Sequence, residues 1–404
     1  MGLVEPRWDV ARAALADAVG PLPASHVALE DSDGLVLAEP LVARAPLPGF
    51  DTSAMDGWAV AGPGPWTVVG ASLAGRPAGV TLGGAQAVVI ATGAVVPTGA
   101  DAVIRSEDGT VRPGADGRDV LAAPDPAAGS HVRPAGEECR AGDALAPAGT
   151  LVTPALVGLA AAAGLDELLA VPRPRVALAL FGDELATSGV AGPGLVRDSL
   201  GPQVPGWLRR MGAVVVGVRR CEDTLDAHVT AIADAAREAD LVLTTGGTAA
   251  GPVDHLHTAI AAVGGQVLVD SVAVRPGHPM IAARLPGGRR REVGAAAPQV
   301  WLVGLPGNPQ SAIVTLMSLA APLLAGLAGR PPLPDLAVVT AAVPVAAPAT
   351  EDRLVLGTID AGVFTPGSHL GSGMLRGLAA ATGFAVLPPG GVPAGAPVRW
   401  LPLP

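Results

Sequence analysis

Two segments carry residue types that bind anions when they follow a strand, and a third adds carboxylates at a strand end. LVLTTGGTAAGPVDH (241–255) sets a Gly-rich turn, with Thr245, Gly246 and Gly247, between an apolar run and a helical pattern. Consecutive glycines let backbone N–H groups turn toward a ligand, and a helix start adds partial positive charge, a combination suited to phosphate. A tight strand–helix turn with no ligand accounts for the same residues. Asp254, at the expected helix start, is either an N-cap or a carboxylate facing a ligand. GLPGNPQSA (304–312) repeats the device: Gly307 permits close backbone approach, and Asn308 can offer an amide to a planar heterocycle. FGDEL puts Asp183 and Glu184 at a third strand end. Three such ends in one parallel sheet define a crevice at its C-terminal edge, the usual ligand position.

Two further segments carry charge. In RPGHP, Arg275 offers a planar fork to oxyanions, and His278 is either a second anion donor or a turn residue. In PLPGFDTSAMDGWAV (46–60), Asp51, Ser53 and Asp56 crowd between apolar neighbours. They read as Asx and Ser turns holding a loop, or as oxygen ligands for Mg²⁺.

These residues need elements to hold them. Trp8, Ala11, Leu15 and Val19 recur at helical spacing. From about residue 45 to 150, short Val/Ile/Ala runs alternate with Gly and Pro, a strand-and-turn pattern. Residues 150–170 are Ala/Leu-rich and predict a helix. From 175 onward strands and helices alternate, which implies a parallel sheet with helices on both faces. After the Pro-rich junction PPLPD, the last ~70 residues alternate as short strands and predict a small all-β domain. The expected division is a helical linker domain (1–47 with 141–173), a β-rich domain (48–140), an α/β domain (174–329) and a C-terminal β domain (331–404).

Composition removes several function classes. The 404 residues carry 36 Asp+Glu against 26 Lys+Arg, a net charge of −10, and every one of those bases is Arg. Net acidity and 2% aromatic content speak against nucleic acid as a partner, which needs basic surface and stacking platforms. The apolar share of 50% excludes disorder. Cys139 and Cys221, far apart, form neither a disulfide framework nor a zinc pattern and suit a reducing cytosol. No secretory leader is visible at the N-terminus. The uncharged run from Pro309 to Gly329 is long enough to span a bilayer, but Pro322 interrupts it and a PGNP loop feeds it, so it reads as a buried helix. The Arg289–Arg291 triplet lies in a loop by composition and reads as a surface feature.

Together the motifs resemble the molybdopterin molybdenumtransferases, the family that includes MoeA and the gephyrin E domain. PLPGFDTSAMDGWAV resembles its signature segment, and TGAVVPTGADAVIRSED (92–108), VRPAGEECRAGD (132–143), FGDEL, VRDS, TTGG, RPGHP, GLPGNP and GSHLGSG follow in the family's order. The resemblance implies an elongated homodimer with α/β and β domains and a parallel-sheet molybdopterin-binding unit. It implies adenylyl-molybdopterin and molybdate as substrates, AMP as a product and Mg²⁺ as helper. It carries Asp56, Thr92, Glu184, Asp223 and Asp254 over as catalytic, with Asp56, Glu184, Asp254 and Glu138 as metal-holding. Thr245, Gly246, Gly247, Asp198, Ser199, Arg275, His278, Pro306, Gly307, Asn308, Arg353 and Ser368 carry over as substrate-binding. Asp56 and Thr92 are implied to face the partner subunit's cleft, and the upstream adenylyltransferase is implied as a further partner. Arg275 and His278 stand where the family usually has Lys, Ser271 where it often does, and Leu200 and Pro252–Val253 also depart from its pattern. A non-catalytic pterin-binding paralogue and an adenylyltransferase are the alternative readings.

Overall fold

The computed structural model describes residues 2–246, 255–287 and 299–404. Gly247, Asp254, Pro252–Val253 and Arg289–Arg291 lie outside them. The chain divides into two compact units, Met1–Ser25 with Val171–Pro404, and His26–Ala170.

The first unit is built on a seven-stranded sheet. Its order is Leu3–Val4, Gln266–Asp270, Ile281–Leu285, Val300–Leu305, Leu241–Thr245, Arg175–Phe181 and Val214–Cys221. The last four strands run parallel. Ile281–Leu285 runs against both its neighbours, so one reversed strand interrupts a mostly parallel sheet. The central strands are apolar at nearly every position because both faces are covered. One face packs on Leu225–Glu238 and Leu256–Ala262, the other on Leu200–Arg210 and the long helix Pro309–Leu327.

That long helix is the uncharged run of the sequence, and 89% of its apolar window is buried, so it is the core helix of this unit. Pro322 cannot donate to Ser318, and its ring crowds that carbonyl. The turn before it, Leu316–Ala320, widens into π geometry, which accommodates the proline without ending the helix.

The first helix, Trp8–Ala18, packs here rather than with the linker part expected from sequence. Trp8 is fully buried and donates from Nε1 to Ser318 Oγ at 2.8 Å. At Gly326 a Cβ would lie 2.3 Å from Val19 Cγ1, so only glycine lets the two helices approach this closely. Burial pulls the Arg12 guanidinium, 4.3 Å above the Trp8 ring, down to about 10. Trp8→Ala is expected to destabilise this unit by about 3–5 kcal/mol, from lost transfer energy and the cavity left behind. Urea unfolding followed by circular dichroism checks it, and a loss under about 1 kcal/mol would mean the helix is dispensable to the core.

The C-terminal strands Ala337–Ala341, Asp352–Asp360, Val363–Pro366, Gly383–Leu387 and Pro397–Pro402 close on themselves as a five-stranded barrel around Phe364 and Trp400, while Phe384 faces outward into the α/β core. Val274–Arg275, from the α/β part, adds a parallel pairing to Asp352–Arg353. Arg7 Nη2 reaches the buried Asp352 Oδ1 at 2.8 Å. The Pro-rich junction therefore connects two parts of one compact unit.

The second unit holds a six-stranded sheet in the order Thr110–Pro113, Asp119–Ala122, Trp66–Ser72, Gln86–Ile90, Gly57–Ala61 and Ala102–Arg105. Ser25–Ala28, Glu167–Val171 and Val36–Leu37 form a separate three-stranded sheet. The helix expected over 150–170 is shorter, Pro154–Ala162, with Thr153 capping it by accepting from Leu156 N. It is followed by the strand Glu167–Val171 rather than by more helix.

Candidate functional site

The SAMDG loop is positioned by register. Gly57 pairs with Ile90 on one side and with Arg105 on the other, so Asp56 and the turn after Ile90 emerge at one end of the sheet. Asp56 Oδ1 accepts from Thr92 N at 2.7 Å and from Thr92 Oγ1 at 3.1 Å. Both residues are exposed. Asp56 and Thr92 thus meet within one chain, presenting a carboxylate and a hydroxyl together. Gly57, at φ +154°, follows immediately, and a Cβ there would sit 1.9 Å from Ile104 O. The turn reading holds for Ser53, whereas Asp51 makes no Asx turn and ties to a distant segment instead. Buried Ser53 Oγ donates to Met55 O and accepts from Met55 N, and Asp51 Oδ1 accepts from Ala135 N at 2.7 Å. Glu138 is exposed and tied by its backbone to Leu47 O.

In the first unit the strand ends converge as expected. Thr245 is buried at the end of its strand, and Gly246 N donates to Leu305 O at 3.1 Å, so the TTGG and PGNP turns start side by side. The exposed Glu184 carboxylate folds back over Gly182, where a Cβ would lie 2.8 Å from its Oε2. Asp183 Oδ1 accepts from Asp223 N at 3.2 Å, joining the FGDEL loop to the next strand end. Exposed Asn308 heads the long helix without capping it.

Asp198 is only 4% exposed, and both its oxygens are engaged within the chain. Oδ1 accepts from Gly201 N at 2.8 Å and Oδ2 from Arg220 Nη2 at 2.8 Å. Its geometry is that of a cap for the helix Leu200–Arg210, with half-buried Ser199 beside it. Arg275 stands opposite Arg353 in the added strand pairing, which brings two expected cations together. Arg275 Nε donates to Glu351 Oε2 at 2.7 Å, Arg353 Nη1 to Ala346 O at 2.7 Å, and His278 Nε2 lies 3.1 Å from Glu5 Oε1.

Two residues that the sequence reading missed organise this edge. Gln310 is buried, and its Nε2 donates to His369 O at 2.7 Å and Met374 O at 2.8 Å, while its backbone N donates to Ser372 O at 2.9 Å. It clamps the GSHLGSG loop, with exposed Ser368, onto the turn that carries Asn308. His228, fully buried, stacks on Phe181 with ring centroids 3.6 Å apart, and its Nε2 is 3.8 Å from Asp223 Oδ1. A signal for it existed in the sequence: a His four residues after the capping Thr224 lies over the first turn, toward the strand ends. Cys221 is no candidate nucleophile, because burial pushes its thiol up and leaves little thiolate at neutral pH.

Among the described residues no three His, Cys, Asp or Glu side chains could hold a metal together. Exposed carboxylates such as Glu184 have the chemistry of a divalent-cation ligand, of which Mg²⁺ commonly takes one or two, with phosphate and water oxygens completing its shell.

A mostly parallel sheet, a barrel joined to it and a separate β unit presenting a carboxylate define a multidomain α/β protein. Three family models cover nearly all of it: the MoeA N-terminal region (domain I and II) at residues 7–164, the probable molybdopterin binding domain at 177–326, and the MoeA C-terminal region (domain IV) at 338–403. The chain is 37% identical to molybdopterin molybdenumtransferase 2 of Mycobacterium tuberculosis over 76% of its own length and 75% of that protein's. It is 31% identical to the molybdopterin molybdenumtransferase of Haemophilus influenzae, over 77% and 74%. The crystal structure of a molybdopterin biosynthesis MoeA protein from Pyrococcus horikoshii has the same fold, with a TM-score of 0.80 at 24% identity over 99% of each chain. The chain belongs to the MoeA family of molybdopterin molybdenumtransferases.

Proposed function

We propose that this protein inserts molybdenum into molybdopterin, taking adenylyl-molybdopterin and molybdate and releasing AMP. Water opens the phosphoanhydride, AMP leaves, and the dithiolene sulfurs replace oxo groups of molybdate, which depart as water. The observation that carries the reading is the clamp at the sheet edge. Gln310 fixes the Ser368 loop against the PGNP turn, in a unit where Arg275 and Arg353 stand together. Backbone N–H groups of the TTGG turn suit the pterin phosphate, and the paired arginines suit a tetrahedral oxyanion. Glu184 and Asp56 are the described carboxylates suited to holding Mg²⁺, which when bound supplies neutralisation of phosphate charge. In a homodimer, Asp56 and Thr92 of one chain serve the sheet edge of its partner. The free thiols, in an acidic chain, suit the cytoplasm.

The test is AMP release by the purified protein from adenylyl-molybdopterin with Mg²⁺ and graded molybdate. Release should depend on molybdate. Asp56→Asn, which keeps an acceptor for Thr92 but removes the charge, should lower kcat by at least about a hundredfold. Pterin binding with no AMP at any molybdate level would sink the transferase reading.

A further inference from the structure

We infer that His228 is a positioning residue that holds the Asp223 carboxylate at the sheet edge, an inference that rests on the transferase reading. Asp223 is held from two sides. Its backbone N–H donates to Asp183 Oδ1 at 3.2 Å, which anchors the main chain to the FGDEL loop. Its side chain is 28% exposed, yet Oδ1 is turned inward, buried and without a hydrogen-bond partner among the described residues. A buried carboxylate oxygen left unpaired is costly, and the group facing it is the imidazole of His228, with Nε2 at 3.8 Å.

The ring cannot turn away. Its Nδ1 lies 2.8 Å from Thr224 O, and the backbone N of His228 donates to the same carbonyl at 3.0 Å. A carbonyl only accepts, so Nδ1 carries a hydrogen, and Nε2, the nitrogen directed at Asp223, holds a carboxylate only when it carries a hydrogen as well. Phe181 stacks on one face at 3.6 Å and 10°, and His255 meets the ring at 5.6 Å and 69°. The stack ties the ring to the end of the strand Arg175–Phe181, next to the FGDEL loop. Hydrogen bond, stack and carboxylate thus form a chain from Phe181 to Asp223. Removing the ring nitrogens frees the carboxylate to rotate while the backbone anchor stays.

The test uses the full chain with His228→Phe, which keeps the stack, and His228→Gln, whose amide reaches toward the position of Nε2. His228→Phe should lower kcat for AMP release about tenfold to a hundredfold, the usual effect of losing an orienting partner, while KM stays within about twofold. His228→Gln should recover most of that loss. Adding His228→Phe to Asp223→Asn should lower kcat no further than Asp223→Asn alone. Full activity in His228→Phe, or equal losses in both variants, would overturn the inference. An independent readout is the imidazole ¹⁵N spectrum. Nδ1 should be protonated and Nε2 should shift on Asp223→Asn; a bare Nδ1 or an unmoved Nε2 would overturn the contact. If wild-type protein releases no AMP, the transferase reading fails and the spectra alone decide the pairing.

Discussion

Gly57→Ala should cripple the SAMDG unit. The new Cβ would meet Ile104 O at 1.9 Å and the Arg105 carbonyl carbon at 2.9 Å, both backbone atoms with no side-chain freedom to yield. The φ of +154° adds strain that an L side chain rarely tolerates. Forced separation of the edge strand Ala102–Arg105 from its neighbour plus an unfavourable dihedral sums to a destabilisation on the order of 4 kcal/mol. Activity should fall further than stability. Ser106 N donates to Asp56 O at 2.9 Å, so prying apart Gly57 and Arg105 moves the backbone of Asp56 itself. Thermal unfolding and AMP release measured on one preparation separate the two effects. A variant that melts and turns over like wild type would show that the strands can part at that point without consequence.

Gln310→Glu should be the second large loss, and its chemistry differs. The amide donates two hydrogen bonds to carbonyls of the Ser368 loop. A carboxylate has no hydrogen to give at neutral pH and would set negative charge against two carbonyl oxygens in a buried place. Each buried acceptor left unpaired costs about 1–3 kcal/mol, and the loop can escape that cost by lifting off. Hydrogen exchange over 368–374 should therefore accelerate, and AMP release should fall by at least about tenfold. The barrel core around Phe364 and Trp400 should stay protected. Gln310→Leu removes the donors without adding charge and should show the same pattern more mildly. Unchanged exchange in both variants would mean that the backbone bond from Gln310 N to Ser372 O suffices to hold the loop.

Much of the site could be read from the chain because its carriers are local. Gly-rich turns after apolar runs, Asp56 next to Gly57, and a long uncharged helix opened by Pro309 depend on neighbours a few residues away. What escaped depends on distant pairing. Gln310 looks like any polar residue in a first helical turn until its partners, some sixty positions on, are in place. Arg275 and Arg353 become neighbours only because a two-residue strand from the α/β part joins the barrel. Ile281–Leu285 has a strand pattern, but nothing in periodicity gives its direction. The first helix has the amphipathic pattern of any surface helix; its address was set by Trp8 finding Ser318 and by Gly326 making room for Val19. Asp198 looks like a ligand by type, and only the positions of Gly201 N and Arg220 reveal its structural engagement.

The strand Val274–Arg275 bears on how such proteins can exchange parts. The barrel begins in sequence after the Pro-rich junction, yet one of its pairings is supplied from sixty positions upstream, and Arg7 and Gln310 also grip it. A chimera that takes a relative's barrel at the junction alone would keep a foreign partner for Val274–Arg275 and an unmatched socket for Gln310. Transplanting this barrel as a working piece thus calls for at least two crossover points, with the segment around Arg275 travelling alongside the C-terminal residues.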